Sequence, residues 1–541
     1  MGKSEDRTRR ITRGELLKAA AVAAPGALLA GRLGAGAQPA QAGEPKPRRS
    51  SGAATPAGMN AILFLTDQER AVQHFPPGWS RRNLPGLTRL ARHGVSFENA
   101  FTNACMCSPA RTTLMTGFFP AQHGVRYTLE ESMPASEYPQ VECPLDFANP
   151  ASVMAAAGYQ TIYKGKWHLS KPEGAEWQPS DVGRYGFARW NPPDAGANQE
   201  LSQAGGGVAD NDGRIMDSTG SSAEGREGAL EYLRSRAAQE QPFFLVVSLV
   251  NPHDVLFYPN TYGEGGYDAS WLRGEIKAPA TAGEDLASKP RVQEQFLRLF
   301  DAGSGRISTP AMRRAYLNFY GNLMKASDEY LVQVLDSLEG TGLLENTLIV
   351  RTSDHGEMGL AHGGLRQKNF NVYEESLRVP LVYSNPRLFP APRRSGALVS
   401  HVDLLPTLAG LFDAPAAARA QWQGVDYSEK VLDPRARPPQ DYTVFTYDDW
   451  QSGQPHGPYP TPPNHIVSIR ERRWKIARYY DAEGRRPPQW ELYDLQRDPL
   501  ERRNLGNPGT RLTRYQQSEL RRLRARLAEV ESTRLQPLAS S

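Results

Sequence analysis

The sequence predicts an α/β protein in which helices flank a mixed, largely parallel central sheet, followed by a smaller C-terminal subdomain of antiparallel sheet plus helix. Two observations predict the main domain: short apolar, β-branched runs recur along the chain, and helical patterns separate them. Unbroken apolar strands divided by helices are typical of a sheet covered on both faces. Beyond residue 411 the pattern changes to short strands of alternating character, which predicts the second subdomain.

Residues 1–42 are predicted to be an export signal. They combine a basic start, an apolar run at 19–30 and small residues up to Ala42. Two arginines ahead of Ile11 indicate the twin-arginine route, so we expect an exported protein, periplasmic or secreted; a basic disordered tail is the alternative. The apolar run is too short to span a bilayer, and no transmembrane segment is predicted. Residues 43–57, rich in Ala, Gly, Pro and Ser, are predicted to be a linker.

The charge of the chain indicates no anionic partner. The formal net charge is +4, and residues 1–42 carry all of it. The remainder is formally neutral, so the charge gives no indication of binding to nucleic acid or membranes, and no nucleic-acid partner is expected. Three cysteines in 541 residues argue against a disulfide framework, although a bridge between Cys105 and Cys143 stays possible. No second Cys or His pair accompanies Cys105 and Cys107 at matching spacing, which argues against a zinc site.

Five apolar runs mark the predicted strands of the main domain, residues 58–411. The runs lie at 61–65, 161–163, 243–250, 347–350 and 379–383. The clearest helix spans 311–338, where leucines and valines recur at helical spacing. Residues 195–224 are rich in Gly, Asn, Asp and Ser and are predicted to be a long loop, of the kind that often closes over a substrate.

Ionisable or amide side chains follow four of these strands. Strand by strand they are Asp67 and Gln68, Lys166 and His168, His253, and Asp354 and His355. Ligands of open α/β sheets bind outside the carboxyl ends of the strands, so we expect the four segments to meet in one site. A single such residue would more often be a helix cap or a surface charge. Four segments together favour a functional site.

Residues 412–541 are predicted to form the smaller subdomain. Its strands are expected at 442–447, 465–469, 474–479 and 490–495. Short links between consecutive strands favour antiparallel pairing. A terminal helix with leucines on one face should pack against this sheet.

The stretch Cys107-Ser-Pro-Ala-Arg111 carries the most specific pattern in the chain. It fits C-x-P-x-R and extends to C-x-P-x-R-x-x-L-x-T-G through Leu114, Thr116 and Gly117. Here the chain resembles the sulfatases of the alkaline phosphatase superfamily, in which this cysteine is oxidised after translation to formylglycine. The resemblance covers about residues 60–505 and implies an alkaline-phosphatase-like fold. It also implies an enzyme that hydrolyses organic sulfate monoesters to an alcohol and inorganic sulfate.

Carried over residue by residue, the resemblance implies a divalent cation. Its ligands would be Asp67, Gln68, Asp354, His355 and the residue formed from Cys107. Many sulfatases have a second Asp in place of Gln68 and an Asn in place of His355. A nitrogen ligand and the loss of one carboxylate move the preference from Ca²⁺ toward Mn²⁺, so either ion is expected. The Asp-Gln and Asp-His pairs look more like the choline sulfatase and phosphonate monoester hydrolase branch.

The same resemblance implies the catalytic residues. Arg111 and Lys166 would orient the hydrated aldehyde and the sulfate and offset the charge on the sulfuryl oxygens. One hydroxyl of the hydrated aldehyde attacks sulfur; deprotonation of the other, for which His168 is the natural base, expels sulfate and regenerates the aldehyde. His253 and Lys368 would lie on the leaving-group side, and these two assignments rest on spacing.

Two alternative functions stay open. A phosphonate monoester or phosphodiester hydrolase could use the same residues, because sulfate monoesters and phosphate diesters are both monoanions. A non-catalytic binder of sulfated ligands on the same scaffold is the second alternative. The expected partners of the enzyme are a small-molecule or carbohydrate sulfate ester, a formylglycine-generating maturation enzyme and the export machinery.

Overall fold

The computed structural model describes residues 55–130, 133, 135–197, 200–218 and 227–538. The predicted export signal and most of the predicted linker therefore lie outside the described residues. Within the described ranges, no helix combines the length and the apolar character that crossing a membrane requires.

The strands of the described ranges form two sheets. In chain order they are β1 (Asn60–Thr66), β2 (Gly94–Phe101), β3 (Ala104–Cys105), β4 (Gln160–Gly165), β5 (Phe243–Ser248), β6 (Thr347–Ser353), β7 (Leu381–Ser384), β8 (Arg393–Ser400), β9 (Tyr442–Tyr447), β10 (His465–Glu471), β11 (Trp474–Tyr480) and β12 (Gln489–Asp494). Sheet A has the strand order β4-β5-β1-β6-β7-β2-β8. Sheet B has the order β12-β11-β10-β9-β3.

Sheet A is mixed and largely parallel, which confirms the predicted fold class. β4, β5, β1 and β6 pair in parallel, β7 is antiparallel to both neighbours, and β2 pairs in parallel with β8. The five predicted apolar runs lie in or overlap β1, β4, β5, β6 and β7. The sequence does not predict β2 and β8, because their residues, GVSFENAF and RRSGALVS, are partly exposed and partly polar.

Helices surround the sheets. In chain order they are α1 (Trp79–Asn83), α2 (Pro85–Arg92), α3 (Cys107–Thr116), α4 (Pro120–His123), α5 (Pro150–Ala156), α6 (Pro179–Gly183), α7 (Asn211–Met216), α8 (Ala229–Arg234), α9 (Ala237–Glu240), α10 (Arg291–Ser304), α11 (Pro310–Gly340), the distorted turn α12 (Ala361–Gly364), α13 (Glu374–Leu377), α14 (Leu404–Leu411), α15 (Ser428–Leu432) and α16 (Arg514–Thr533). Short 3₁₀ helices lie at Leu201–Gln203, His253–Phe257, Leu286–Ser288, Leu344–Asn346, His401–Asp403 and Ala416–Ala418. α11 matches the helix predicted at 311–338, whereas α7 lies inside the segment predicted to be a loop.

Apolar side chains fill both faces of sheet A. Successive residues of β1 point to opposite faces: Leu63 joins the cluster on one face, and Ile62 and Phe64 join the cluster on the other. α11 covers the second face with Leu331 and Leu335. Because both faces are buried, β1 has an unbroken apolar sequence and not an alternating one.

The predicted C-terminal sheet is also present. β9, β10, β11 and β12 correspond to the four predicted strands and pair antiparallel. Leu523, Leu527 and Val530 of α16 pack into the apolar cluster of this sheet. β3 adds a parallel strand beside β9, with Cys105 opposite Tyr447. Sheet B therefore reaches the segment that leads into Cys107.

The parallel strands bring the ends of distant segments together. β6 pairs with β1 up to Thr66 and Ser353, and β4 pairs with β5 up to Gly165 and Ser248. Neighbouring parallel strands that end in register start their following loops at the same edge of the sheet. Those loops carry most of the residues described next.

Candidate active site

Two strand ends and one helix start supply the centre of the site. Asp67 and Gln68 follow β1, and Asp354 and His355 follow β6. Cys107 is the first residue of α3, all of whose residues are buried. These five residues are at most 2% exposed, so the centre lies below the protein surface.

Four of these side chains converge. One ligand atom each of Asp67, Cys107, Asp354 and His355 lies within 4.8 Å of the others. Cys107 Sγ is 3.2 Å from His355 Nε2 and 3.8 Å from Asp67 Oδ1. Two carboxylates and an imidazole nitrogen are a donor set that suits a divalent transition-metal ion. The unmodified thiol of Cys107 stands where formylglycine would present an oxygen.

Neighbours fix the carboxamide of Gln68. Its Oε1 accepts a hydrogen bond from Lys368 Nζ (2.8 Å), and its Nε2 donates to Glu357 Oε2 (2.6 Å). The backbone of Gln68 has a φ of 68°, a left-handed conformation that is uncommon for a residue with a side chain. Tyr320 holds this conformation by donating its hydroxyl to the Gln68 carbonyl (2.8 Å). The sequence gives no role to Glu357, although it lies two residues after His355.

Arg111 and Lys166 face the two carboxylates. Arg111 Nε donates to Asp354 Oδ2 (2.9 Å), and Nη2 donates to Asp67 Oδ2 (3.1 Å). Arg111 Nη1 donates to the hydroxyl of Ser248 (2.9 Å), at the end of β5. Lys166 Nζ lies 2.6 Å from Asp67 Oδ2. All of these side chains are buried, so salt screens their interactions very little.

Burial and these charges shift the acid and imidazole pKa values in different directions. Burial alone would raise the pKa of Asp67, but Lys166 and the other nearby cations hold it well below its usual value. Burial and the charge of Asp67 raise the pKa of Asp354 to about 7. Burial, reinforced by Lys368, lowers the pKa of His355 well below its usual value. His355 is therefore neutral, which is the form that binds metals.

The turn after β4 positions Lys166. Gly165 has a φ of 104°, and a Cβ at this position would lie 2.0 Å from the carbonyl oxygen of Ser248. Only glycine fits so close to the neighbouring strand. The backbone of His168, which also has a left-handed φ of 52°, is held by Asp194 Oδ2 (2.6 Å).

One ring nitrogen of His168 has no hydrogen-bond partner among the residues that the structure describes. Its Nε2 lies 2.9 Å from the carbonyl oxygen of Leu129, which can only accept, so Nε2 carries the hydrogen and Nδ1 carries the lone pair. Nδ1 is buried and makes no hydrogen bond to any of the described residues. Buried polar atoms normally have a partner. Burial and Lys166 lower the pKa of His168, so the ring is neutral.

A cavity of about 240 Å³ leads to Cys107. His253, Lys368 and Glu130 line it together with Met106, Thr128, Ala197, Leu256, Gln367 and residues 452–455. Burial and Asp449 raise the pKa of Glu130 to about 8. Glu130 belongs to no motif, and the sequence gives no signal for its position in the cavity.

The residue after His253 anchors its segment. Asp254 accepts hydrogen bonds from the hydroxyl of Tyr267 and from the backbone N–H groups of Gly205 (3.1 Å) and Gly206 (3.0 Å). These bonds join the 3₁₀ helix that begins at His253 to the glycine-rich segment. Asp254 therefore holds one wall of the cavity in place.

The three cysteines, all within the described residues, are free thiols. The bridge between Cys105 and Cys143 that the sequence left open is not formed. Burial, with a contribution from Asp67, raises the pKa of Cys107 to about 11. The unmodified Cys107 is therefore a neutral thiol and a poor nucleophile at neutral pH.

Comparison with known proteins matches this chain to sulfatases. The family model for sulfatases matches residues 59–414, and the model for the C-terminal part of N-sulphoglucosamine sulphohydrolase matches residues 362–531. An ulvan-active sulfatase from Formosa agariphila is 27% identical over 460 residues, 84% of this chain and 78% of the relative. A choline-sulfatase from Rhizobium meliloti is 27% identical over 479 residues, 83% of each chain. The structure of a phosphonate monoester hydrolase from Agrobacterium radiobacter has a TM-score of 0.59 at 21% identity, covering 87% of this chain and 96% of that protein.

Proposed function

Because the chain belongs to the sulfatase family and is a sulfuric ester hydrolase, we propose that it converts organic sulfate monoesters to an alcohol and inorganic sulfate at Cys107. The observation that carries this proposal is the convergence of four ligand atoms, Cys107 Sγ among them, within 4.8 Å. One divalent cation, Ca²⁺ or Mn²⁺, would be held by Asp67, Gln68, Asp354, His355 and the residue formed from Cys107. When present, the cation would polarise the sulfuryl group, and formylglycine would supply the attacking oxygen.

We assign Arg111 and Lys166 the task of holding the proposed ligands. Arg111 is fully buried and bonds to the carboxylates of Asp67 and Asp354. A guanidinium that donates to both carboxylates fixes their spacing and offsets their repulsion. Lys166 contacts Asp67 Oδ2 and the carbonyl oxygen of Gly196. The family resemblance implies that Arg111 and Lys166 orient the sulfate. They would do so from the positions in which they contact the carboxylates.

We assign His168 the role of the base. Its Nε2 hydrogen is directed to the Leu129 carbonyl, so Nδ1 is the nitrogen that can accept a proton. Nδ1 is the buried ring atom without a hydrogen-bond partner among the described residues, which is the condition expected of a base whose reacting hydroxyl is not yet in place. The low pKa of the buried ring keeps it unprotonated before the reaction.

We assign His253 and Lys368 to the leaving-group side. Both line the cavity that leads to Cys107, where the organic part of an ester would lie. Lys368 Nζ donates to Gln68 Oε1 at 2.8 Å, and in this role its ammonium would stabilise the alkoxide that forms when the S–O bond breaks. Burial, reinforced by Lys166, lowers the pKa of His253, so the neutral ring can share a hydrogen bond with the same oxygen.

Mass spectrometry combined with kinetics tests this proposal. In protein produced with a maturation enzyme, the peptide that contains Cys107 should be about 18 Da lighter than the encoded peptide. The same preparation should hydrolyse an aryl sulfate in proportion to its converted fraction. Full conversion without turnover of any sulfate ester would refute the sulfatase proposal and favour a non-catalytic binder.

A phosphonate monoester or phosphodiester hydrolase is the second candidate. Gln68 and His355 stand at proposed metal-ligand positions where many sulfatases have Asp and Asn, and a phosphonate monoester hydrolase shares the fold. To separate the two candidates, kcat/KM should be measured on an aryl sulfate, an aryl phosphonate monoester and a phosphodiester. We expect the highest value on the sulfate; a clear preference for phosphorus would transfer the proposal to the second candidate.

The substrate is proposed to be a small-molecule or carbohydrate sulfate ester. The two relatives above are named for ulvan and for choline. Thr128, Glu130 and Gln454 line the cavity and could hydrogen-bond hydroxyl groups of a substrate. A screen of sulfated sugars and small sulfate esters with fully converted enzyme tests this substrate class.

Maturation, export and domain division also stand as proposals. Cys107 is 2% exposed, so a maturation enzyme would have to reach it before folding. We propose that export by residues 1–42 through the twin-arginine route follows this step, and N-terminal sequencing of exported protein would test the signal. We also retain the division into a catalytic domain at 58–411 and a subdomain at 412–541.

A further inference from the structure

Two adjoining cavities form a basic groove, which shares no lining residue with the cavity at Cys107. The first, about 300 Å³, is lined by β8 and by residues between 430 and 440. The second, about 500 Å³, is lined by Glu374 and Arg378, by the end of β10 and the turn after it, and by the segment that follows β12. Arg472 lines both cavities, so they adjoin at its side chain, and together we call them the basic groove. Seven basic side chains and one acidic side chain line it: Arg378, Arg393, Arg394, Lys430, Arg470, Arg472, Arg473 and Glu374.

Acidic groups neutralise only part of this charge. Arg473 forms two hydrogen bonds with Asp494, at 2.9 and 2.7 Å. Glu374, the acidic residue of the groove, lies 2.8 Å from the buried ammonium of Lys475 and 3.3 Å from Arg470. Lys475 also lies 2.7 Å from Glu501 Oε1, so two carboxylates offset the charges of Lys475 and Arg470. The positive charge that remains in the second cavity is that of Arg378 and Arg472.

The cations of the first cavity have weaker partners. Arg393 donates to the carbonyl oxygen of Leu432 at 3.1 Å, and Lys430 donates to main-chain carbonyl oxygens. A neutral carbonyl orients these side chains without removing their charge. Arg394 is 82% exposed and lies 3.3 Å from Glu98, an exposed ion pair of the kind that contributes little.

Two guanidinium groups have no carboxylate partner among the described residues. Arg472 is exposed, and its guanidinium lies next to Gly396 of the edge strand β8. A Cβ built on Gly396 would be 3.5 Å from Arg472 Nη2. Arg378 Nε is buried and makes no hydrogen bond to any described group. Burial lowers the pKa of Arg378, which reflects the cost of holding an unpaired cation there. An anion in the groove would supply the missing partner, and a guanidinium fork suits the oxygens of sulfate.

We propose that the basic groove binds an anionic segment of a sulfated polysaccharide, away from the ester bond that is cleaved at Cys107. The proposal rests on the proposed function, because a sulfatase that acts on a polymer meets many sulfate groups on one chain. Binding one segment in the groove raises the local concentration of the others at the cavity. The charge is local, since the chain beyond residue 42 is formally neutral. Cations in two joined cavities match an extended polyanion better than one small ion.

Charge reversal in the groove tests the proposal. We would measure binding of immobilised dextran sulfate to the full chain by biolayer interferometry, with neutral dextran and single-stranded DNA as comparison probes. The groove variant is Arg394→Glu with Arg472→Glu. The matched control is Arg236→Glu with Arg298→Glu, which changes the net charge equally at exposed arginines, each paired with a glutamate as Arg394 is. Turnover of a small aryl sulfate by the converted enzyme is measured in parallel.

We expect dextran sulfate to bind the wild type and the control alike, and the groove variant at least about tenfold more weakly at low salt. Aryl sulfate turnover should be unchanged in the groove variant, because neither residue is part of the active site. Absence of dextran sulfate binding, an equal loss in the control, or equal groove-dependent binding of DNA would each overturn the proposal. Failure of the proposed function gives a different result, namely no aryl sulfate turnover in converted wild type whatever the groove binds.

Discussion

Glu357→Gln should turn the carboxamide of Gln68 away from the proposed metal site. Glu357 Oε1 accepts from the hydroxyl of Tyr316 (2.6 Å) and from the backbone N–H groups of Gly359 (3.0 Å) and Gln367 (3.1 Å). Glu357 Oε2 accepts from Gln68 Nε2 (2.6 Å). In the variant the amide oxygen should stay with the three donors. Its NH₂ would then face the NH₂ of Gln68.

Two donors cannot satisfy each other, so the Gln68 carboxamide should flip. Its oxygen would turn to the new NH₂ of residue 357, and its own NH₂ would face Lys368 and the proposed cation. Loss of a partner that orients a ligand typically weakens metal binding about 10–100-fold. The lost hydrogen bond to a charged acceptor corresponds to about 1.5–3 kcal/mol, which agrees with that range. We therefore expect Mn²⁺ affinity to fall by about this factor.

Isothermal titration of Mn²⁺ into chelator-treated, converted protein measures this effect without relying on activity. Glu329→Gln, on the exposed face of α11, is the matched control and should bind Mn²⁺ like the wild type. The rate of aryl sulfate hydrolysis at saturating Mn²⁺ should recover in part, since the site is weakened and not removed. Mn²⁺ affinity of the variant within about twofold of the control would refute Gln68 as a ligand oriented by Glu357.

Three further predictions concern the same region. Cys107→Ala should abolish turnover while the midpoint of thermal unfolding, measured by calorimetry, stays within a few degrees; turnover at the wild-type rate would contradict the nucleophile. His168→Ala should lower kcat by about 10²–10⁴-fold with Mn²⁺ affinity retained, whereas a parallel loss of Mn²⁺ binding in titration calorimetry would indicate a structural role. Burial raises the pKa of Glu130 to about 8, so between the usual glutamate pKa and pH 8 the folded protein binds more protons than the unfolded chain. The contribution of Glu130 to the free energy of unfolding therefore falls as the pH rises through this range. Glu130→Gln should therefore stabilise the protein more at pH 8 than at pH 5 in denaturant unfolding, and a pH-independent difference would contradict this.

The sequence predicted strands correctly where both faces of the strand are buried, because such strands consist of an unbroken apolar run. β1 and β5 are buried throughout, and their residues form apolar runs that can be recognised without any partner. β8 lies at the edge of sheet A, begins with two arginines and includes a glycine, so its sequence carries no such pattern. Its place is set by pairing with β2, about 300 residues earlier in the chain.

Some residues of the candidate site belong to a local motif that the sequence shows, and others are brought to the site only by the fold. The spacing from Cys107 to Gly117 lies within one short segment and is visible in the sequence. Glu357 contacts Gln68 from a position 289 residues away, and Glu130 reaches the cavity without a motif. Which side chain orients the Gln68 carboxamide depends on how β1 and β6 pair, and local spacing carries no information about that pairing.

By itself, the sequence determined the family, the fold class and the set of residues available for chemistry, because apolar periodicity and the C-x-P-x-R spacing are properties of short segments. The tertiary structure decided how those residues are oriented: Arg111 faces the carboxylates, and one ring nitrogen of His168 has no partner in the described part of the chain. It also concentrated arginines from separate segments in one groove of a chain that is neutral beyond residue 42. Orientation and local charge depend on contacts between distant segments, and the fold alone creates those contacts.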